Sequence, residues 1–187
     1  MNTSLKKQNI LLKGIGEIKY RHSKKAKYIR IVISHSSQVS VVIPIHNNIN
    51  DAIDFIHSKK KWIKKHKIKI ANKNVLKLKL SNIELENFWN DTKQKMLQLS
   101  NKHQLNFYKL IFKTLKSQWG SCSQNNTICI NNILYYLPEH LQEYIMLHEL
   151  THTKIKNHSI IFWKELEKIC PNSKLKRKEL RENYAIG

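Results

Sequence analysis

Alternation of apolar and polar positions dominates the first part of the chain. GEIKYR (16–21), YIRIVIS (28–34) and QVSVVIP (38–44) put apolar, mostly β-branched residues at every second position between polar breaks. That period predicts three short strands. KYIRIVISHSSQVSVVIP reads as a hairpin turning at His35 to Ser37, and Pro44, which lacks an N–H to donate, closes its second strand.

The period then lengthens. Ile49, Ala52, Ile53, Ile56, Lys60 and Ile63 recur at helical spacing, with Asn50 or Asp51 as the expected cap. This helix runs into the lysine-dense KKKWIKKHKIK (59–69), and ANKNVLKLKL (71–80) reads as a connector with one more strand. Ser81 and Glu84 have capping-box spacing and open a helix whose apolar side is Leu85, Phe88, Trp89, Met96 and Leu99. FYKLIFKTL (107–115) and the start of TICINNILYYL (127–137) return to strand. Pro138 suits the first turn of the next helix, with Glu139 near its positive end. Ser159 caps a further helix that stops before Pro171, and Ser173 starts a last, basic one over 174–184. The order predicts an α+β fold. An N-terminal tail (1–14) precedes one domain (15–187), with a β-rich part (15–45), a helical connector (49–102) and a third part (107–187).

Composition sharpens this picture. A chain of 187 residues with 41% hydrophobic content can bury a core and is not a disordered one. No apolar run is long enough for a membrane span and no leader pattern opens the chain, so a cytoplasmic location is the expectation. Cys122, Cys129 and Cys170 form no C-x-x-C pair, which disfavours a cysteine zinc site and fits a reducing compartment. The net charge is +21, from 34 Lys and Arg against 13 Asp and Glu. Such a protein is drawn to polyanions. KKKWIKKHK (59–67) sets Trp62 among cations, a combination that grips phosphates and stacks on bases. Lys174, Lys176, Arg177, Lys178 and Arg181 form a second cluster. No nucleic-acid recognition motif accompanies either run. Each alone reads as a solvated helix face, and a nucleic acid or other polyanion stays an alternative partner.

The chemistry concentrates in MLHELTHTKIKNHSIIFW (146–163). Leu141, Ile145, His148 and His152 form one stripe along the helix from Pro138, and Tyr144, Met146, Leu147 and Leu150 make its other sides apolar. Two histidines and Glu149 therefore fall in a largely dry environment, where each needs a partner. Zinc would resolve this. His148 and His152, one turn apart, reach a single ion, and Glu149 takes a proton from water held there, which is the content of H-E-x-x-H. A catalytic ion needs a third ligand and an open position. His158 is the best placed, at the spacing of the longer H-E-x-x-H-x-x-G-x-x-H pattern. Ile155 stands where that pattern has glycine, so the turn is expected later, at Lys156 and Asn157, since Asn157 tolerates a left-handed conformation. Glu165, Glu167 and Glu179 are alternative third ligands. A structural zinc with a closed fourth position, without turnover, is the bland competitor.

HELTHTKIKNHSIIFWKELEKICP resembles the YgjP-like metallopeptidases, relatives of the SprT-like zinc proteases: HEL-x-H, a short interval, NHS-x-x-FW and a proline-ended helix. WGSC (119–122), YIRIVIS, VSVVIP and KKKWIKK match further elements of that family in order, so the resemblance runs from about Ile15 to about Tyr184. It implies a zincin-like α+β fold with a small antiparallel or mixed sheet, an N-terminal β-hairpin region and a buried helix carrying the motif. It implies His148, His152 and His158 as zinc ligands, Glu149 as the base acting on zinc-bound water, and a peptide or protein substrate. Trp119, Gly120, Ser121 and Cys122 either hold an extended substrate at a strand edge or lock the sheet to the helix. Gln118 stands where relatives often have arginine. Some SprT-like relatives act on DNA-bound proteins, which joins the peptidase reading to the polyanion alternative. Tyr135, Tyr136, His140 and Tyr184 are candidate oxyanion donors by type alone.

Overall fold

The computed structural model describes residues 8–34 and 37–187, and the chain divides into two compact units, 1–73 and 74–187. Together the described residues form a mixed α+β structure with small sheets and six helices.

The first unit holds strands β1 (Gln8–Leu12), β2 (Gly16–Ser23), β3 (Arg30–Ile33) and β4 (Val39–Pro44), then helices α1 (Ile49–Ser58) and α2 (Lys60–Ala71). The sheet order is β1-β2-β4-β3, with β2 and β4 parallel and the two outer pairs antiparallel. The alternation predicts β2, β3 and β4, and the β3–β4 hairpin forms as expected. Ser34 N–H donates back across it to the Gln38 carbonyl (3.0 Å), while residues 35 and 36 of the expected turn lie outside the described residues. Strand β1 carries no such signal, because QNILL is short and only Leu12 of its five residues is buried. Val39, Val41, Val42 and Ile43 are all buried, as suits a strand with neighbours on both sides.

Two helices stand where the spacing predicts one. The cap is Asn48 rather than Asn50 or Asp51. Its side chain accepts from Asp51 N–H (2.9 Å), and the Asp51 carboxylate accepts from Asn48 N–H (3.0 Å), so Asp51 sits inside the helix as the reciprocal member of a capping box. The chain breaks at Lys59 (φ −99°, ψ 9°). Ile56 and Ile63 are both buried across the break, so the apolar stripe hides it. The lysines of α2 face solvent for the most part, and Trp62 stacks on His66 (ring centroids 4.0 Å apart).

The second unit holds β5 (Asn74–Leu76), α3 (Asn82–His103), β6 (Lys109–Lys113), β7 (Gly120–Cys122), β8 (Thr127–Asn131), a 3₁₀ turn (Asn132–Tyr136), α4 (Glu139–Thr151), α5 (Ile160–Ile169), α6 (Ser173–Asn183) and β9 (Tyr184–Ile186). Strand β8 is central, parallel to β6 and antiparallel to β7, and these two form the edges of the sheet. Strands β5 and β9 pair in parallel. Ser81 and Glu84 make the expected capping box on α3. Helix α4 follows Pro138 and buries Leu141, Tyr144, Ile145, Met146, Leu147 and Leu150, as its all-round apolar pattern predicts. It packs against β7, β8, α3, α5 and α6. No helix among the described residues is long and apolar enough to cross a membrane.

Asn131, fully buried at the end of β8, fastens the segment that leads into β7. Its amide nitrogen donates to the carbonyls of Leu115 (2.8 Å) and Gln118 (2.7 Å), and its oxygen accepts from the N–H groups of Leu115 and Ile133 (3.2 Å each). Its own N–H donates to the Trp119 carbonyl (3.0 Å). Asn131→Ala leaves these backbone groups without their partner and should cost roughly 3–5 kcal/mol of stability. A urea midpoint displaced by less than one such bond would show that the backbone groups find water instead.

Candidate metal centre

Helix α4 delivers His148 and Glu149 from its last turn, and His152 is its C-cap residue (φ −66°, ψ −13°). The chain then closes a tight turn, in which Thr153 N–H donates to Leu150 O (2.9 Å) and Ile155 N–H to Thr151 O (3.0 Å). The expected left-handed turn at Lys156 and Asn157 does not occur. The left-handed non-glycine residues among those described are Ser37, Gln104, Asn126 and Asn172. The helix stops early and turns through Ile155, which removes the need for glycine. His158 follows just before Ser159, whose hydroxyl caps α5 by accepting from Phe162 N–H (3.5 Å).

The connection between the two histidines is pinned by Lys156. Its Nζ donates to the Ser123 carbonyl (2.8 Å) and the Asn126 side-chain oxygen (2.5 Å) in the β7–β8 turn, and lies 3.7 Å from Cys122 Sγ. Neither Lys156 nor Asn131 carries a motif in the sequence, because the partners of each lie far away in the chain.

The three histidines converge. His158 Nε2 lies 3.0 Å from His148 Nε2 and 3.2 Å from His152 Nε2. One ligand atom from each falls within 4.8 Å of the others. Nitrogens about 2.05 Å from a tetrahedral ion sit about 3.3 Å apart, so the spacing suits one ion. Tautomers agree. A carbonyl only accepts, so His152 Nδ1–H must donate to Ile155 O (2.9 Å), which leaves its Nε2 lone pair facing the cluster. Burial lowers the pKa of all three imidazoles, that of His148 to about 3 with help from its neighbours, which keeps them neutral as ligands must be. His148 Nδ1 is buried without a hydrogen-bond partner. Three neutral imidazoles aimed at one point with an orphaned nitrogen behind them are poorly satisfied as a hydrogen-bonded cluster, and they fit a cation.

Aromatic rings wall the cluster. Phe162, fully buried, stacks on His152 (centroids 4.4 Å apart, 27° between planes) and meets the edges of His148 and His158. Trp163 stacks on His158 (5.5 Å, 24°) and donates its Nε1–H to the His158 carbonyl (3.2 Å). Glu149 is 6% exposed, and burial alone pushes its pKa up to about 8. Gly120 of β7 makes room for it. A Cβ there would stand 2.9 Å from Glu149 Cγ, 3.0 Å from its Oε1 and 3.1 Å from the Cys129 carbonyl oxygen.

Other expected residues lie elsewhere. Glu165 meets Lys168, Glu167 caps the α6 end through Asn172 and Ser173, and Glu179 holds His140. Tyr136 accepts from Lys79 N–H, Tyr135 packs on Phe88, and Tyr184 pairs in β9. The thiols of Cys122, Cys129 and Cys170 are free, and burial raises all three pKa values.

An α+β unit that gathers three bare imidazole nitrogens beside a buried carboxyl has the frame of a metal-dependent hydrolase. The YgjP-like, metallopeptidase domain model matches residues 73–183, more than half of the chain, so this protein belongs to the YgjP-like metallopeptidase family. Two solved metallopeptidase zymogens are similar to it. Abylysin of Pyrococcus abyssi is 25% identical with a TM-score of 0.43, over 50% of this chain and 99% of that one. Jannalysin of Methanocaldococcus jannaschii is 29% identical with a TM-score of 0.42, over 48% of this chain and 91% of that one. Among curated proteins, none matches.

Proposed function

We propose that this metallopeptidase is zinc-dependent and zincin-like, with His148, His152 and His158 as the metal ligands and Glu149 as the general base. The observation that carries this is the convergence of three neutral imidazoles on one point, with His158 Nε2 3.0 and 3.2 Å from its two neighbours. Three nitrogen ligands suit zinc and leave a fourth position open, which favours a catalytic site over a structural one. When bound, zinc supplies Lewis acidity that polarises a carbonyl and lowers the pKa of a coordinated water to about 7. The chain supplies the rest. Glu149 accepts a proton from the attacking water and returns it to the leaving amine. With a cation held by the three neutral imidazoles, the Glu149 carboxyl would ionise more readily than its burial alone allows, as a base must. Phe162 and Trp163 fix the ligand rings and exclude water from their far side. Strand β7 presents its outer edge beside Glu149, so Gly120, Ser121 and Cys122 can hold the main chain of an extended peptide, while Trp119 anchors that strand in the core.

Metal analysis tests the site before any substrate is known. The purified protein should carry about one zinc per chain, and His158→Ala should weaken zinc binding by at least about 100-fold, more than a lost supporting contact. Unchanged affinity in that variant would remove His158 from the site.

A further inference from the structure

Trp163 holds a second group besides His158. The Arg177 guanidinium of α6 lies over its ring, with Cζ 4.5 Å from the centroid. A guanidinium held over an indole by cation–π attraction keeps its charge and its N–H donors. Arg177 is exposed and forms no ion pair with any described residue. Nearby cations behave differently: the Lys176 ammonium is 3.3 Å from Cys170 Sγ. Arg177 is thus a five-donor guanidinium held at the same indole that braces one proposed ligand, with no ion pair among the described residues.

We propose that Arg177 is a specificity residue that binds a carboxylate of the peptide substrate, supplied by its C-terminus or by an acidic side chain. The proposal rests on the peptidase reading above. A planar fork pairs with a carboxylate through two parallel N–H···O bonds, and a stacked arginine pays little ordering entropy to do so. Trp163 stands 5.5 Å from His158 between ring centroids and 4.5 Å from Arg177 Cζ, so the guanidinium lies within about 10 Å of the His158 ring, a span that about three extended residues of a peptide cover.

The test is calorimetric binding of four short peptides of one sequence to zinc-loaded Glu149→Gln protein, which needs no turnover. The peptides carry a C-terminal acid or amide, and a central Asp or Asn. One carboxylate should tighten binding roughly 10- to 100-fold, the worth of charge-assisted hydrogen bonds, and the better arm identifies its source. Adding Arg177→Gln should erase that preference and leave binding of the uncharged peptide unchanged, a pattern that general loosening of α6 would not produce. A preference that survives Arg177→Gln overturns the assignment of Arg177 alone. Binding of none of the four overturns both the assignment and the peptidase reading on which it rests.

Discussion

Glu149→Gln should abolish peptide hydrolysis while zinc content stays at the wild-type level. Gln keeps the shape of the side chain but accepts no proton. Loss of a general base costs about 10²- to 10⁴-fold, and it should fall on kcat with KM little changed. Full activity with zinc bound would remove Glu149 from the chemistry. The same substitution has an opposite effect on stability, which can be measured without a substrate. Burial raises the folded-state pKa of Glu149 to about 8 from 4.5. An acid raised in this way opposes folding once it ionises. The cost is absent below the unfolded value, grows between the two values and is complete above the folded one. Metal-free Glu149→Gln should therefore match the wild type in acid. At mildly alkaline pH it should be the more stable by on the order of 4 kcal/mol, at about 1.4 kcal/mol per pKa unit. Loading zinc should shrink that advantage, because positive charge at the histidines favours the carboxylate. A stability difference independent of pH would show that the carboxyl is solvated.

Gly120→Ala should cost catalysis far more than stability. The added methyl would overlap the Glu149 side chain at 2.9 Å and crowd the Cys129 carbonyl oxygen at 3.1 Å. Backbone in the β7–β8 ladder yields little, so the flexible partner moves, and here that partner is the proposed base. A displacement near 1 Å is enough to lower kcat about 100-fold. Zinc affinity should stay close to wild type, since the three atoms nearest that methyl belong to Glu149 and Cys129 and not to a histidine. Equal losses in zinc binding and turnover would mean that the sheet itself has shifted against α4.

The features readable in the sequence are those set by local spacing. Ser81 and Glu84 are three residues apart and cap each other. His148 and His152 are one turn apart and share a face of α4. His158 needed only a turn of the chain to join them, and the structure brings the three together, although the turn runs through Ile155 and not through Asn157. What stayed hidden depends on partners distant in sequence. Asn131 serves Leu115 and Gln118, Lys156 serves Ser123 and Asn126, and the Ile155 carbonyl sets the His152 tautomer. None of these leaves a periodic signal, because a side chain that bonds to backbone constrains no neighbouring residue type. Strand β1 was hidden for a related reason: it is an edge strand with most of its side chains outside the core. The break at Lys59 escaped because hydrophobic spacing records which face is buried, not whether the backbone bends.

The indole beside His158 also gives the protein a built-in optical probe. Trp163 stands within 6 Å of two imidazoles, whereas Trp62 belongs to the other unit, Trp89 stacks on Phe112 and donates to Asn132, and Trp119 packs against the core beside β7. Emission from such a ring responds to protonation and to ion loading in its immediate surroundings. Occupancy of the centre can therefore be followed by tryptophan fluorescence with no label added, and the part of the response lost in Trp163→Phe is the part that this ring reports.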